Sequence, residues 1–164
     1  MSVVNGLDSI IEEMLGGSDR ASALVGAAVV EHYLQAALTA RFAVKDSKFL
    51  DESLYSHSGP FGTFSAKISG AYAMGLIGPV MYRDLTLVRR IRNDFAHEPN
   101  PVSFDEPKIS SRCSEISWIA SWRKDGVQLG NRKTEFVHAV AAMSGLLIQE
   151  ADSPTLVAPT PAIA

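Results

Sequence analysis

The residues best equipped for chemistry fall in one short run, Arg92-Asn93-Asp94-Phe95-Ala96-His97. A histidine gives or takes a proton near neutral pH. An arginine presents a planar fork that grips a phosphate through two parallel hydrogen bonds. Together they supply a minimal set for cutting a phosphodiester without a metal. His97 would serve as acid or base, and Arg92 as the clamp on the charge that builds at phosphorus. Asn93 adds a polar neighbour to the arginine. Geometry constrains the idea, because five helical steps of about 100° leave Arg92 and His97 roughly 140° apart. One helix cannot offer both to one substrate unless it frays at His97 or a second subunit completes the site. A helix C-terminus also favours a protonated imidazole, which suits an acid.

The same residues admit a structural reading. Arg92 falls in line with Met81, Leu85, Val88 and Phe95, and a charge in an apolar row must be paired or functional. Glu31, on another helix, is the candidate partner for a structural ion pair Glu31–Arg92, and His97 then only ends its helix. Charge favours this side: between Tyr82 and Glu98 four arginines meet three acids, and the whole chain carries a formal −3. Nucleic-acid affinity rests on neutralising phosphates, so a general DNA or RNA binder is not indicated. The other basic concentration is Arg123, Lys124, Arg132 and Lys133. Trp118 and Trp122, a helical turn apart beside it, could stack bases or serve as core and rim aromatics.

No metal or cofactor is expected. His32, His57, His138 and Cys113 have no ligand spacing, Gly59-x-x-Gly62 lacks the context of a phosphate loop, and no nucleophile elbow is present. A single cysteine excludes an internal disulfide framework, and Cys113 reads as a small apolar helix residue.

The elements that must position these residues are helical throughout. Leu7, Ile10, Ile11, Met14 and Leu15 recur at helical spacing; Gly16-Gly17-Ser18-Asp19 then breaks the helix and caps the next. From Arg20 to about Phe42 runs the longest pattern, with Leu24, Ala28, Glu31, Gln35, Leu38 and Phe42 in one row and Val25, Val29, Tyr33 and Ala36 in another. Apolar residues so far round the circumference predict a central helix covered on several sides. Residues 44–60 read as a loop with a helical piece near Leu50–Leu54. Thr63 caps a helix carrying Phe64, Ile68, Ala71 and Tyr72 and ending at Gly75. Pro79 opens the next, which reaches His97 because Pro99 disfavours helix at Glu98. Asp105 and Pro107 start a helix through Ile109, Cys113, Ile116 and Ala120. Asn131 caps the last, marked by Phe136, Val140, Met143 and Leu147. Met74, Leu76, Ile77, Val80 and Met81, around the Gly75–Gly78 turn, read as core. The expected fold is all-α: one domain over residues 1–150, a multi-helix bundle around a long central helix. Residues 151–164, with three prolines, are expected to form a disordered tail. The N-terminus lacks the basic and apolar segments of a signal peptide, and Glu31 and His32 interrupt the longest apolar stretch too early for a membrane span, so a cytoplasmic location is expected.

Two stretches resemble the mannitol operon repressor (MltR) family. One is Leu15-Gly-Gly-Ser-Asp-Arg20. The other, more specific, is Gly59-Pro-Phe-Gly-Thr-Phe-Ser-Ala-Lys-Ile68, followed in order by Ala71-Tyr-Ala-Met-Gly-Leu-Ile77, Tyr82-Arg-Asp-Leu85 and Ile91-Arg-Asn-Asp-Phe-Ala-His97. With Phe104-Asp105, Ile109 and Cys113 the match covers residues 15–120. The resemblance implies an all-helical fold and a role in transcriptional control of sugar-alcohol uptake. No short, polar and basic second helix of the kind that reads DNA bases is found, so a regulator of this sequence is expected to work through a protein partner. Arg92-Asn93 … His97 also resembles the Arg-x4–6-His signature of the HEPN superfamily. That likeness implies a rival reading, a metal-independent ribonuclease with Arg92, Asn93 and His97 lining the cleft of a homodimer, and RNA as its partner. A homodimer is expected on another ground too, since Leu87 and Ile91 form a second apolar row on their helix. Whether the chain is an enzyme is left open at this point.

Overall fold

The computed structural model describes residues 3–127 and 129–153, and every regular element among them is a helix. In order these are α1 (Val3–Gly16), α2 (Asp19–Arg41), α3 (Ser47–Phe49), which runs into a π-helical turn at Leu50–Leu54, α4 (Phe64–Ala73), α5 (Pro79–His97), α6 (Pro107–Glu115), α7 (Ser117–Lys124) and α8 (Arg132–Asp152). Helix starts are written into the chain. The side chains of Ser18, Thr63 and Asn131 accept the N–H groups of Ala21, Ala66 and Thr134, satisfying amides that a helix start leaves free. Pro79 and Pro107 each stand in the first turn, where no N–H is needed.

Helix α2 is the centre, packed by α1, α4, α5 and α8. Its deepest face is Ser22, Ala23, Gly26, Ala27, Val30, Leu34, Ala37 and Leu38. This is not the row Leu24–Ala28–Glu31 that the apolar count picked out, of which Ala28 is exposed. Small residues here let α8 lie close against α2, and Phe136 and Val140 of α8 reach Gly26. By length and composition α2 could also cross a membrane, but the face just named is buried in the bundle. Three aromatic rings tie the far end together: Phe95 of α5 lies 4.8 Å from Phe104, and Phe104 lies 5.0 Å from Phe136. All three are fully buried, each contributing about 1.5–3 kcal/mol of hydrophobic stabilisation.

Several expectations need correction. The helix foreseen from Asp105 to Ala120 is broken at Ile116, whose extended backbone (ψ 125°) separates α6 from α7. The cause lies in another helix. The buried Asp84 carboxylate of α5 accepts the Ser117 backbone N–H at 3.1 Å and its hydroxyl at 3.0 Å, so α7 starts on a borrowed acceptor. Leu87 and Ile91 are buried inside the protomer, which leaves no free second row on α5 for another copy. At the Gly75–Gly78 turn only Leu76 and Ile77 are buried; Met74 and Val80 face solvent. Helix α8 continues through Asp152, beyond the boundary expected at 150, and the rest of the expected tail lies outside the described residues.

Candidate functional site

Arg92 is on the surface. The buried arc of α5 runs through Asp84, Leu85, Leu87, Val88, Ile91 and Phe95, with the exposed Arg92 at its edge. The Arg92 guanidinium donates to Asn93 Oδ1 at 2.9 Å. The expected Glu31–Arg92 ion pair is not formed. Lys67 of α4, only 7% exposed, takes Glu31 Oε1 at 2.7 Å instead. A lysine is the reach that this gap requires, and its stem is buried along the way. His97 is exposed at the last position of α5. Asp94 pairs with Lys108 at 2.8 Å and with Arg112.

Arg92 and His97 look into different hollows. Arg92 joins Arg89, Glu31, His57, Thr63 and Ser65 around a cavity of about 440 Å³ between α5 and the start of α4. His97 joins Asp94, Glu98, Glu106 and Lys108 around another of about 390 Å³. Asn93 borders both. Within one protomer the divergence expected from helix geometry therefore holds, and no single cavity presents the arginine and the histidine together.

The first cavity owes its shape to the loop before α4. Phe61 stacks near Phe42 (5.8 Å) and Tyr55 (6.3 Å), and the Tyr55 hydroxyl meets Thr39 Oγ1 at 2.8 Å. A Cβ on Gly62 would stand 2.1 Å from the Ser56 carbonyl oxygen, and one on Gly70 2.2 Å from the Phe61 ring. Only glycine fits at either place. The Gly-Pro-Phe-Gly-Thr-Phe run thus seats Phe61, aligns Thr63 as a cap and brings His57 to the cavity.

A second kind of site was not foreseen. The start of α5, α7 and the end of α8 enclose an apolar groove of about 410 Å³ lined by Val80, Met81, Asp84, Ser117, Trp118 and Leu146. It continues past Met81 and Leu146 into a hollow bordered by Leu76, Ile77 and Leu147. Val80 is 59% exposed and Leu146 42%. Trp118 lies 6.0 Å from Trp122, and both pack on the core. Asp84 lies at the groove floor, where burial pushes its carboxyl above the usual range against the pull of the Ser117 hydrogen bonds and of Arg83. The signal for this groove in the sequence is the pair Val80 and Met81, which the apolar run around the Gly75–Gly78 turn makes read as core. Burial drives the Cys113 thiol up to about 12, in keeping with a packing role. Among the described residues no three of His, Cys, Asp and Glu gather as a metal site would require.

An all-helical, single-domain bundle with an apolar groove on one side and a polar cavity on another defines the class of the molecule. Residues 8–146 match the model of the mannitol repressor family, MtlR, and the chain belongs to that family. It is 27% identical over 74 residues to the mannitol operon repressors of Escherichia coli strains K12 and O6:H1. That match takes in 45% of this chain and spans 38% of the length of those relatives. The fold is similar to a chain in the X-ray structure of the MtlR–HPr complex from Escherichia coli, with a TM-score of 0.68 at 16% identity, over 87% of this chain and 98% of that one.

Proposed function

We propose that this protein is a regulatory module of the mannitol repressor type that acts by docking a protein partner rather than by reading DNA itself. The observation that carries this is the solvent-facing apolar groove of Val80, Met81, Trp118 and Leu146. Contiguous exposed apolar surface on a soluble domain marks a site of association. Support for the kind of partner comes from the similar fold having been solved in complex with HPr, and HPr of the same organism is the partner to which the proposal commits. Direct DNA reading is disfavoured by the candidate turn itself: α5 begins Pro79-Val80-Met81-Tyr82, with no polar and basic face for base edges. The role proposed for the complex is control of sugar-alcohol uptake, in the cytoplasm. A two-fold homodimer stays part of the proposal, on a face other than Leu87–Ile91; a mass that stays at one chain across concentrations in sedimentation would remove it. The groove itself is tested by titrating HPr into the isotopically labelled chain. Amides around Val80, Met81, Trp118 and Leu146 should shift, and shifts confined to other faces would refute this docking site.

One observation keeps a second reading alive. Arg92 and His97 are solvent-exposed and Asn93 is partly so, as a HEPN-type ribonuclease would need, with a second subunit bringing His97 to Arg92. RNA cleavage in the presence of a chelator, lost in a stably folded His97→Ala variant, would establish it. No cleavage by the dimeric wild type would dismiss it.

A further inference from the structure

The cavity beside α4 holds more positive charge than the protein uses. Arg89 is half-buried there and makes no hydrogen bond or ion pair among the described residues. Arg92 has only the neutral amide of Asn93. The acid in the lining, Glu31, is already neutralised by Lys67. Two guanidinium groups thus face one cavity, Arg89 half-buried and Arg92 exposed, with no acid of the chain paired to either among the described residues. The first turn of α4 adds to it. Thr63 takes the Ala66 N–H with its side chain and the Lys67 N–H with its carbonyl, while the Phe64 and Ser65 amides have no acceptor in the described residues. Those amides, at the positive end of the helix dipole, favour an anion.

We propose that this cavity binds the phosphate monoester of a small hydroxylated molecule. Arginine forks match the oxygens of a phosphate group and hold it bidentately. A space of about 440 Å³ exceeds what one phosphate fills and falls in the usual range for small-molecule sites. Apart from Gly62 and Phe64, the remaining lining is hydrogen-bonding: Thr63, Ser65, His57, Asn93 and the Glu31 carboxylate. The Glu31 carboxylate, held by Lys67, still has lone pairs for ligand hydroxyls, so the body of the ligand is hydroxylated. A nucleic-acid backbone fits less well, because beyond the neighbouring Arg90 several other cations are already paired. Arg123 and Arg132 are spent on Glu135, and Lys108 and Arg112 on Asp94. The site shares no lining residue with the apolar groove, so this inference stands or falls separately from partner docking.

Isothermal titration of the full chain tests it, with a hexitol phosphate, the parent hexitol, inorganic phosphate and a short single-stranded RNA as probes. The ester should bind saturably, the parent hexitol not at all, and inorganic phosphate more weakly than the ester. Added salt should weaken the ester. Arg89→Ala and Arg92→Gln should each weaken it by about tenfold to a hundredfold, the scale of a lost charge-assisted hydrogen bond. Lys48→Ala, which removes an exposed charge that does not line the cavity, should change nothing. Arg92 is already exposed, so its variant reports on the site even if Arg89→Ala fails to fold. The proposal is overturned by absence of saturable ester binding at millimolar concentration, by binding that neither arginine variant weakens, or by RNA binding in place of the ester.

Discussion

The apolar groove and the polar cavity are built on the same helix and reach opposite chemistry by different means. At its start, α5 puts Val80 and Met81 out toward solvent beside Trp118 and Leu146. Two turns further on it turns Arg89 and Arg92 toward the capped start of α4. The groove is made from helices that simply stop covering one another, so its residues are apolar and its partner must supply the missing cover. The cavity is made by a loop folded so tightly that its glycines cannot carry a side chain, and its cations are left uncompensated by the fold. One surface asks for a protein, the other for an anion, and each can be broken without the other.

The largest effect on the folded chain is expected from Gly62→Ala. With a carbonyl oxygen 2.1 Å from the new Cβ, the loop must shift, at a cost of about 1–3 kcal/mol, typical of forcing a group into packed space. The hexitol phosphate should then lose its site as Thr63 and His57 move, while HPr affinity stays within about twofold of wild type because the groove contains no residue of that loop, a difference of under 0.5 kcal/mol. Melting curves paired with both titrations check this. Equal loss of both activities would show that the two sites are one cooperative unit.

A smaller effect is expected at the groove floor. Asp84 has its carboxyl raised above the ordinary 3.8 by burial, so the native state holds the proton more tightly than the unfolded chain does. Stability from this group is therefore greatest below 3.8 and falls as pH rises through the folded value. Asp84→Asn keeps one oxygen for Ser117 and removes the titration. Denaturant unfolding should show a flatter pH profile across that window, with stability near neutral pH within about 1 kcal/mol of wild type. An unchanged slope would mean that Asp84 does not titrate in the native state there.

How far these features could be read from the sequence depends on whether their causes are local. The Ser18, Thr63 and Asn131 caps, Pro79 at the start of α5 and Pro99 after its end act within one turn, and the helices they bound are where the sequence puts them. The divergence of Arg92 and His97 also follows from helix geometry alone. What escaped was set by neighbours far along the chain. The break at Ile116 depends on Asp84, 33 residues from Ser117. Arg92 was placed in an apolar row, but packing by α2 and α6 selects an arc centred on Leu87, Val88 and Ile91, and no count along α5 can choose between adjacent arcs. The burial of Lys67 likewise depends on Glu31, 36 positions away. The groove was misread for a similar cause: apolar residues at a turn are core or surface according to what lies over them.

Partner docking is tested most directly by calorimetric titration of HPr from the same organism into the full chain, wild type beside Leu146→Glu. Leu146 is 42% exposed, so the variant should fold with an unchanged melting temperature. The expected result is saturable binding by the wild type, weakened about thirtyfold or more in the variant, the scale of losing a buried apolar anchor and burying a charge in its place. Absence of binding by the wild type, or equal binding by a folded Leu146→Glu, would contradict the account.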